Sequence, residues 1–510
     1  MPEKRPASSE SASLTKPAFL IMIAKSISFA FSFVLPLLLV RSLNQEEFGL
    51  YKQIFLVVGT AIVVLPLGVG MSAFYFLPRE RERKGHVVFN IMLFNVVVSG
   101  LACVALFVRP AILGSLFNST QLIPYASLIG IVILFWTVSS FFELVAIANQ
   151  EPGVATVFIV AAQITKTSLL VAAAVFFDSL EYLIWAAAIQ GILQTIALLV
   201  YLWSRFPGFW RDFSWSMLTT QMSYALPIGF AAALYSLQTD LHNYFVANSF
   251  GPASFAIYAI GCFQLPLIGI LSESVGAVMI PRVSSLQQED NRREIVLITA
   301  QVMRKLAAIY FPVYVFLFLT AREFLTFLFT AAYLSSWPIF LVNLSLVPIG
   351  ILVTDPILRA YAEQRYFLLR VKIAIFILLF GVLWFGILHL GLVGAIAVAV
   401  GASIFERLIA ASRAARVLKI GWGERSLFSD IGKLAVAAIA AGALTAIVYA
   451  FLPEVRPLVV LCICGVVFSV CYAVAVWVLR IPTEEERAYA RRLIERVLRG
   501  PWKRLHPTAS

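Results

Sequence analysis

Six ionisable side chains lie inside long apolar stretches of the sequence, and they are the groups best placed to do chemistry: Lys25, Glu143, Lys166, Asp240, Glu273 and Asp355. A charge at the centre of a bilayer costs about 2.5–3.5 kcal/mol on insertion scales, so such residues normally face a cavity or a partner. We predict that Lys25 and Lys166 bind an anionic substrate group such as a diphosphate, because charge pairs are strong at low dielectric. The four acids are predicted to line the cavity or to bind a driving proton or sodium ion.

Four prolines in the same apolar stretches are predicted to act as hinges: Pro36, Pro66, Pro227 and Pro266. Proline removes a backbone hydrogen bond from the interior of a helix and permits a kink. Prolines are also frequent in static membrane helices, so the residue type alone carries little information.

The elements that hold these residues are predicted to be membrane helices. Of the 510 residues, 61% are hydrophobic and 13% are charged, whereas soluble domains have about 45–50% apolar and about 25% charged residues. Charge-free runs such as 53–77 and 182–204 reach the ~20 residues that a helix needs to cross a bilayer. The composition excludes an ordinary soluble protein and predicts an all-α, polytopic membrane protein.

Fourteen transmembrane helices are predicted, with short loops between them. The spans are Pro17–Val40, Gln53–Leu77, Val87–Val108, Ile123–Ala148, Gly153–Phe177, Tyr182–Ser204, Ser223–Ala247, Ala253–Ile280, Leu306–Thr320, Trp337–Ala360, Tyr366–Leu388, Gly391–Ser412, Leu434–Leu452 and Pro457–Leu479. Spans 1–6 (residues 17–204) form a predicted N-terminal lobe and spans 7–12 (residues 223–412) a C-terminal lobe. Residues 205–222 link the lobes, and residues 434–479 hold two extra C-terminal spans.

Basic residues mark one side of the predicted membrane. If both chain ends lie inside, the inner segments hold 27 Lys and Arg residues and the outer loops hold five. An excess of Lys and Arg in short loops identifies the cytoplasmic side, so both termini are predicted to be cytoplasmic. The same loops account for the formal net charge of +12, and no separate basic domain indicates a nucleic-acid partner.

The two ends of the chain differ from the spans. Residues 1–16 are predicted to form a disordered cytoplasmic tail, because this segment is rich in Ser, Pro and Glu. Residues 480–510 are predicted to be a basic amphipathic tail that begins with a capping-box pattern at Thr483 and Glu486. Such a helix suits the anionic inner leaflet, and a cytoplasmic partner is the alternative.

An internal repeat relates the two predicted lobes. Phe48-Gly-Leu-Tyr51 is followed by an apolar span and Pro78-Arg79, and Phe250-Gly251 with Tyr258 is followed by an apolar span and Pro281-Arg282. Each copy marks the second helix of a six-span half. Two halves with the same orientation are typical of transporters built from parallel repeats.

Motifs of common enzyme classes are missing from the sequence. There is no P-loop and no H-E-x-x-H zinc motif, and the outer loops are short, which disfavours an enzyme. All five cysteines fall inside apolar spans, where disulfides and zinc sites are not expected. We predict no cofactor and no metal.

The stretch Leu37–Tyr51, which reads Leu-Leu-Leu-Val-Arg-Ser-Leu-Asn-Gln-Glu-Glu-Phe-Gly-Leu-Tyr, resembles the loop after the first helix in polysaccharide exporters of the Wzx type. The segment Tyr224–Gly229, followed by Asp240, Gly251 and Tyr258, resembles the start of the second lobe in that family. These exporters belong to the superfamily that also contains multidrug and toxin extruders and the lipid II flippase.

The resemblance implies two lobes around a central cavity, and alternating access that flips a polyprenyl-diphosphate-linked oligosaccharide across a bacterial cytoplasmic membrane. In that family a basic residue of the first span faces the cavity, which Lys25 matches, and an acidic residue is common in the seventh, which Asp240 matches. The implied partners are the lipid-linked oligosaccharide, membrane lipids and the polysaccharide polymerase machinery, and spans 13 and 14 would form a groove for the lipid tail. Two alternatives stay open: a drug–cation antiporter of the same fold, and a membrane glycan polymerase or ligase.

Overall fold

The computed structural model describes residues 8–80, 82–177, 179–453, 455–482, 484, 486 and 487. Over these residues the chain is helical, without a strand. The helices of the first half are α1 Ser8–Ser42, α2 Gln45–Val64, α3 Ala73–Phe76, α4 Lys84–Val108, α5 Ala111–Phe117, α6 Ala126–Ser139, α7 Phe141–Ala148, α8 Pro152–Phe177, α9 Leu180–Arg205 and α10 Trp215–Ser249. Those of the second half are α11 Pro252–Gly261, α12 Pro266–Gln288, α13 Arg292–Leu319, α14 Ala321–Phe329, α15 Trp337–Leu344, α16 Leu346–Ile349, α17 Asp355–Ala360, α18 Arg365–Val417, α19 Ser429–Phe451 and α20 Pro457–Val478.

Twelve helical segments of the described chain are long and apolar enough to cross a membrane. This confirms the predicted all-α, multi-pass membrane architecture, while the count of fourteen spans stays a prediction. The difference arises in two places. The predicted spans 11 and 12 are the two arms of α18, which are counted as one segment. Helix α10, the predicted span 7, carries polar residues such as Gln221, Gln238 and Asp240 that lower its mean hydropathy.

Helix α18 folds back on itself, so each of its two arms can cross a bilayer. Its 53 residues would extend about 80 Å if straight, but Gly391 has φ 59° and ψ −135°, outside the helical range. A side-chain carbon on Gly394 would overlap the carbonyl of Gly386, and one on Gly386 would overlap the side chain of Val398. Three glycines therefore allow the two arms of α18 to meet in a tight helical hairpin.

The second and fourth spans of each predicted half are interrupted rather than continuous. After α2 the chain turns through Leu67 (φ 46°) and Gly68 (φ 72°) before a short 3-10 helix and α3. The predicted span 8 is likewise divided into α11 and α12 at residues 262–265. The predicted span 4 bends at Ser140 between α6 and α7, and the predicted span 10 is divided into α15, α16 and α17.

The helices form two compact units. The first unit contains the described residues through Leu271 together with Leu328–Asn343 and Arg365–Glu406. In it, α1 packs on α8, α6 packs on α4 and α9, and α2 packs on α10 and α11. The second unit contains Ser272–Phe327, Leu344–Gln364 and the described residues from Arg407 onward. In it, α13 packs on α19, and α19 packs on α20.

The ends and the predicted linker show three details. Helix α1 begins at Ser8, inside the segment that the sequence predicts to be disordered, and residues 1–7 lie outside the described residues. The predicted linker 205–222 contains a 3-10 turn at Phe209–Arg211 and the first residues of α10. Most of the predicted amphipathic tail lies outside the described residues.

Candidate functional site

Two cavities of the first unit share four lining residues: Ile62, Trp136, Gln163 and Lys166. The larger cavity, ≈ 460 Å³, is also lined by Tyr51 and Phe55, and we call it the aromatic compartment. The smaller cavity, ≈ 260 Å³, is also lined by Glu143, Gln190 and Gln194 together with two serines, and we call it the polar compartment. Helices α1, α2, α6, α7, α8 and α9 supply these residues.

Lys166 lies where the two compartments meet. It is on α8, and its Nζ is 4.3 Å from the centre of the Trp136 ring and 5.9 Å from the centre of the Phe55 ring. Among the described residues no carboxylate pairs with it. Aromatic faces attract an ammonium but do not neutralise its charge, so the cavity wall carries a net positive charge at this point.

Lys25 and Glu143 form an ion pair between α1 and α7. The Nζ–Oε1 distance is 2.9 Å, and the side chains are 51% and 30% exposed. Next to this pair, the Ser28 hydroxyl donates to the carbonyl of Ile159 at 3.2 Å and fixes α1 on α8. The structure thus brings the predicted acid Glu143 to the predicted cation Lys25, and the two charges offset each other.

Trp136 is held in a fixed orientation between the compartments. Its indole Nε1–H donates to the carbonyl of Ala187 at 2.9 Å. A side-chain carbon on Gly191 would overlap this indole, so α9 can approach only because residue 191 is glycine. The Trp136 ring is 5.6 Å from that of Phe55, which is 4.6 Å from that of Tyr51. The aromatic compartment therefore has a connected wall of three rings.

Amide side chains line the polar compartment. Gln163 donates to the Thr167 hydroxyl at 3.2 Å, and the Gln194 Oε1 accepts a hydrogen bond from the Ser139 hydroxyl at 3.0 Å. Gln190 is 1% exposed, and its Nε2 donates to the carbonyl of Ala162 at 3.4 Å. Its Oε1 is buried and accepts no hydrogen bond from any described residue.

The other predicted acids do not line these compartments. Asp240 is half-buried on α10, and its Oδ1 accepts a hydrogen bond from the Asn243 amide at 3.2 Å. Glu273 is exposed on α12 of the second unit, and Asp355 of the same unit pairs with Arg359 at 2.7 Å. Ion coupling by these three residues stays a prediction.

The predicted hinge prolines fall into two classes. Pro66 lies in the interruption after α2, and Pro266 begins α12 after the interruption at 262–265. Pro36 and Pro227 lie inside the unbroken helices α1 and α10, and Pro36 also lines the aromatic compartment. Whether any of the four bends during a transport cycle stays a prediction.

Several residues of the compartments are absent from the sequence-based prediction. Trp136, Gln163, Gln190 and Gln194 are uncharged and therefore escape a search for intramembrane charge. The spacing of Gln190 and Gln194, four residues apart in a span, was an available signal, because it places two amides on one helix face.

Lys372 and Glu406 also pair, at 2.7 Å, and Gln238 donates to the same carboxylate at 2.7 Å.

Comparison of the sequence with known families gives one match. Residues 38–338 match the family described as polysaccharide biosynthesis protein, which is more than half of the chain. The chain belongs to this family. The Wzx-type resemblance of the sequence is thereby confirmed at the family level. Among curated protein sequences, none matches the chain significantly.

Solved structures with a similar fold are membrane transporters and a flippase. The lipid II flippase MurJ in an inward closed conformation has a TM-score of 0.66 at 13% identity, covering 90% of this chain and 99% of that one. An inward-facing multidrug resistance transporter of the MATE family has a TM-score of 0.58 at 13% identity, covering 77% and 94%. A transporter of the MOP superfamily from Pyrococcus furiosus has a TM-score of 0.54 at 15% identity, covering 82% and 96%. The chain therefore shares its fold with these three proteins.

Proposed function

We propose that the protein flips a polyprenyl-diphosphate-linked oligosaccharide from the inner to the outer leaflet of a bacterial cytoplasmic membrane, for surface polysaccharide biosynthesis. Membership of the polysaccharide biosynthesis family supports a glycan-containing substrate. The fold shared with a lipid II flippase supports movement of a lipid-linked molecule, with no chemical change to it.

The observation that carries this proposal is the ammonium of Lys166. It stands 14 residues into α8, about 20 Å from the start of the helix, which is deep in a hydrocarbon core about 30 Å thick. It faces a cavity and has no described carboxylate partner. A positive charge kept at such a depth without an anionic side chain beside it favours an anionic ligand, and the diphosphate of a lipid-linked glycan supplies one.

In the proposed cycle the polar head of the substrate occupies the two compartments while the lipid tail stays in the bilayer. Lys166 holds the diphosphate, and the pair Lys25–Glu143 keeps the rest of the polar compartment close to neutral. The interruptions at residues 65–68 and 262–265 give the second and eighth spans places where they can bend. Driving ions would bind at Asp240, Glu273 or Asp355.

A second candidate is a drug–cation antiporter, which the three-ring wall favours because aromatic faces and a carboxylate bind organic cations. Tyr51, Phe55 and Trp136 would form such a site with Glu143. The charge of Lys166 in the same wall opposes it, since a cation would be repelled there.

The test uses a strain depleted of the protein. Lipid-linked glycans are extracted, and a glycosidase is added to intact spheroplasts to find which leaflet holds them. We expect glycan to accumulate in a protected, inner-leaflet form and to become accessible again when the wild-type gene is restored. Accumulated glycan that the glycosidase reaches would contradict the proposal and indicate a polymerase or ligase. No accumulation, together with sensitivity to cationic drugs, would indicate the antiporter.

A further inference from the structure

A third cavity, ≈ 220 Å³, lies in the first unit between the start of α4 and the start of α10, and we call it the α4–α10 pocket. It shares no lining residue with the aromatic or the polar compartment, so the proposed function gives it no role. Its polar lining residues are Glu80, Arg83, His86, Ser214, Ser216 and Thr220. A carboxylate, a guanidinium and hydroxyl groups therefore face one small space.

Two amide side chains hold the walls of the pocket together. Asn90 of α4 accepts a hydrogen bond from the Ser214 N–H at 3.3 Å and donates to the Ser214 carbonyl at 2.9 Å. Gln221 of α10 is buried and donates to the carbonyl of Val87 on α4 at 3.1 Å. Because these contacts join the two helix starts, the pocket has its shape before any ligand arrives.

The two opposite charges of the pocket do not neutralise each other. Glu80 is half-buried and Arg83 is exposed, and no ion pair joins the two side chains. Neither side chain has another ion-pair or hydrogen-bond partner in the part of the chain that the structure describes. Both charges are therefore available to a single ligand.

His86 and Ser216 add polar groups that have no protein partner. His86 Nδ1 lies 2.6 Å from the carbonyl of Asp212, and because a carbonyl only accepts, Nδ1 carries a proton. The other ring nitrogen, Nε2, and the Ser216 hydroxyl make no hydrogen bond with any described residue. The carboxylate of Asp212 lies against Gly85 and is not part of the lining. The pocket thus offers donors for a phosphate beside the acceptor Glu80.

Exposed tryptophans place the pocket at the surface of the bilayer. Ser214 and Ser216 flank Trp215, whose side chain is 68% exposed, and Trp203 and Trp210 are exposed as well. Tryptophan is enriched at the level of the lipid headgroups. The segment between α9 and α10 lies on the side predicted to be cytoplasmic, so the nearest ligands are the headgroups of the inner leaflet.

The charges of the pocket distinguish between the common headgroups. Phosphoethanolamine combines a phosphate, which accepts hydrogen bonds from guanidinium and hydroxyl groups, with a primary ammonium, which donates to a carboxylate. Phosphoglycerol has no cation for Glu80. Phosphocholine has a cation without N–H groups, and such cations prefer an aromatic cage.

We propose that the α4–α10 pocket binds the phosphoethanolamine headgroup of one bilayer phospholipid. The phosphate contacts Arg83 and the Ser216 hydroxyl, the ammonium contacts Glu80, and the acyl chains enter the bilayer beside Trp215. The bound lipid joins the start of α4 to the start of α10. This proposal goes beyond the flippase function and does not depend on it, because the pocket is separate from both compartments.

The experiment is native mass spectrometry of the delipidated full-length protein in detergent. The protein is titrated with phosphatidylethanolamine, phosphatidylglycerol or phosphatidylcholine, all with the same acyl chains, and the Kd of the first bound lipid is measured. We expect phosphatidylethanolamine to bind about fivefold more tightly than either of the others, the effect of one partly exposed ion pair. Equal Kd values for the three lipids would overturn the proposal.

Two variants separate the two halves of the headgroup. Glu80→Gln should weaken phosphatidylethanolamine about fivefold and leave phosphatidylglycerol unchanged, because only the first lipid has an ammonium. Arg83→Gln should weaken both lipids by the same factor, because both carry the phosphate. Glu82→Gln and Arg211→Gln are the matched controls, since both residues are exposed and neither lines the pocket. They should leave every Kd unchanged.

Three results would contradict the proposal. Controls that weaken binding as much as Glu80→Gln and Arg83→Gln would show a general effect of surface charge. Displacement of the lipid by an equal concentration of inorganic phosphate or soluble phosphoethanolamine would show that the ligand is a soluble one. Displacement by an equal concentration of undecaprenyl diphosphate, lost in Arg83→Gln, would assign the pocket to the path of the transported lipid.

Discussion

At the scale of single residues, Lys166 is the position on which transport should depend most. Lys166→Met removes the charge but keeps the length of the side chain, and we expect flipping to fall at least tenfold because a charged contact is worth about 1.5–3 kcal/mol. Lys166→Arg keeps the charge and should retain part of the activity. The measurement is the amount of glycosidase-accessible lipid-linked glycan in spheroplasts.

The control for this prediction is Lys433→Met. Lys433 pairs with Asp430 at 2.7 Å at the start of α19, in the second unit, and lines neither compartment. The variant Lys433→Met should flip the lipid-linked glycan as the wild type does. Normal flipping by Lys166→Met, at the same abundance in the membrane, would show that the ammonium does not hold the substrate.

The pair Lys25–Glu143 should behave as a coupled unit. Removing one partner leaves the other charge without its ion pair, and Glu143 lines the polar compartment. The losses of stability of Lys25→Met and Glu143→Gln should therefore sum to more than the loss in the double variant. Both side chains are partly exposed, and we expect a coupling energy of about 0.5–1 kcal/mol. A double-mutant cycle on thermal unfolding measures it.

The pair Arg205–Glu151 provides the comparison for this cycle. It has the same 2.9 Å separation and similar exposure, 49% and 24%, but it lies at a predicted membrane edge. Because water screens charges there, its coupling should be smaller. Equal coupling energies in the two pairs would show that the cavity does not strengthen the interaction between Lys25 and Glu143.

Residue types predicted part of this site. The depth of Lys166 in an apolar run identifies an exceptional residue, because the cost of the charge depends only on position in the span. The partner of Lys25 does not follow from the sequence, since Glu143 is 118 residues away and reaches it only through the packing of α1, α7 and α8. Gln190 is uncharged, so no large insertion cost distinguishes it in the sequence. That its side-chain oxygen has no hydrogen-bond donor is visible only in the structure.

At the scale of helices, a glycine contact joins the interruption after α2 to α10. A side-chain carbon on Gly229 would overlap the carbonyl of Leu67. Gly229→Ala should therefore lower stability by about 1–3 kcal/mol, as overpacking does. Gly100 on α4 has open space around it, so Gly100→Ala should raise stability by up to about 1 kcal/mol through helix propensity. Thermal unfolding of both variants tests this, and a neutral Gly229→Ala would mean that the contact relaxes.

An arginine clasp connects α13 to the loop before α19 and should make stability depend on pH. Arg292 donates to the carbonyls of Leu418 and Lys419 and to the Glu424 carboxylate, at 2.6 Å for the last. This guanidinium lowers the pKa of Glu424 below its ordinary value of 4.5. The stabilisation is therefore present above pH 4.5 and is lost as the pH falls through the lowered pKa.

Glu424→Gln tests the clasp. The variant should unfold at a lower temperature than the wild type at pH 7, and the difference should shrink as the pH is lowered below 4.5. Glu363→Gln, at another exposed glutamate of the second unit, is the control. A difference that stays constant over this pH range would exclude a role for the ionised Glu424.

Hydropathy predicts helices well but not their interruptions. The predicted spans 2 and 8 are continuous apolar runs, yet the structure divides both, because Gly68 adopts a left-handed conformation and residues 262–265 leave the helix. Apolar residues are compatible with either path, so composition cannot distinguish them. In α18, by contrast, the turn at Gly391 lies where the sequence predicts the boundary between spans 11 and 12.

At the scale of the whole molecule, the distribution of Lys and Arg predicts which loops face the cytoplasm. In a cysteine-free background, Thr120→Cys should react with a membrane-impermeant maleimide in intact cells, because this position lies between the predicted spans 3 and 4. Glu82→Cys, between the predicted spans 2 and 3, should react only after permeabilisation. Labelling in the reverse pattern would invert the topology, and labelling of both in intact cells would contradict the span between them.

The hairpin of α18 requires a fixed number of residues at its turn. Lys372 and Glu406 lie 34 residues apart on opposite sides of the turn and meet at 2.7 Å. One residue inserted between Gly386 and Gly394 would rotate the following arm by about 100°, carry Glu406 out of reach and separate the crossing glycines. Insertions and deletions should therefore be rejected at this turn, and an epitope tag or fusion partner belongs in the loop near Thr120 instead.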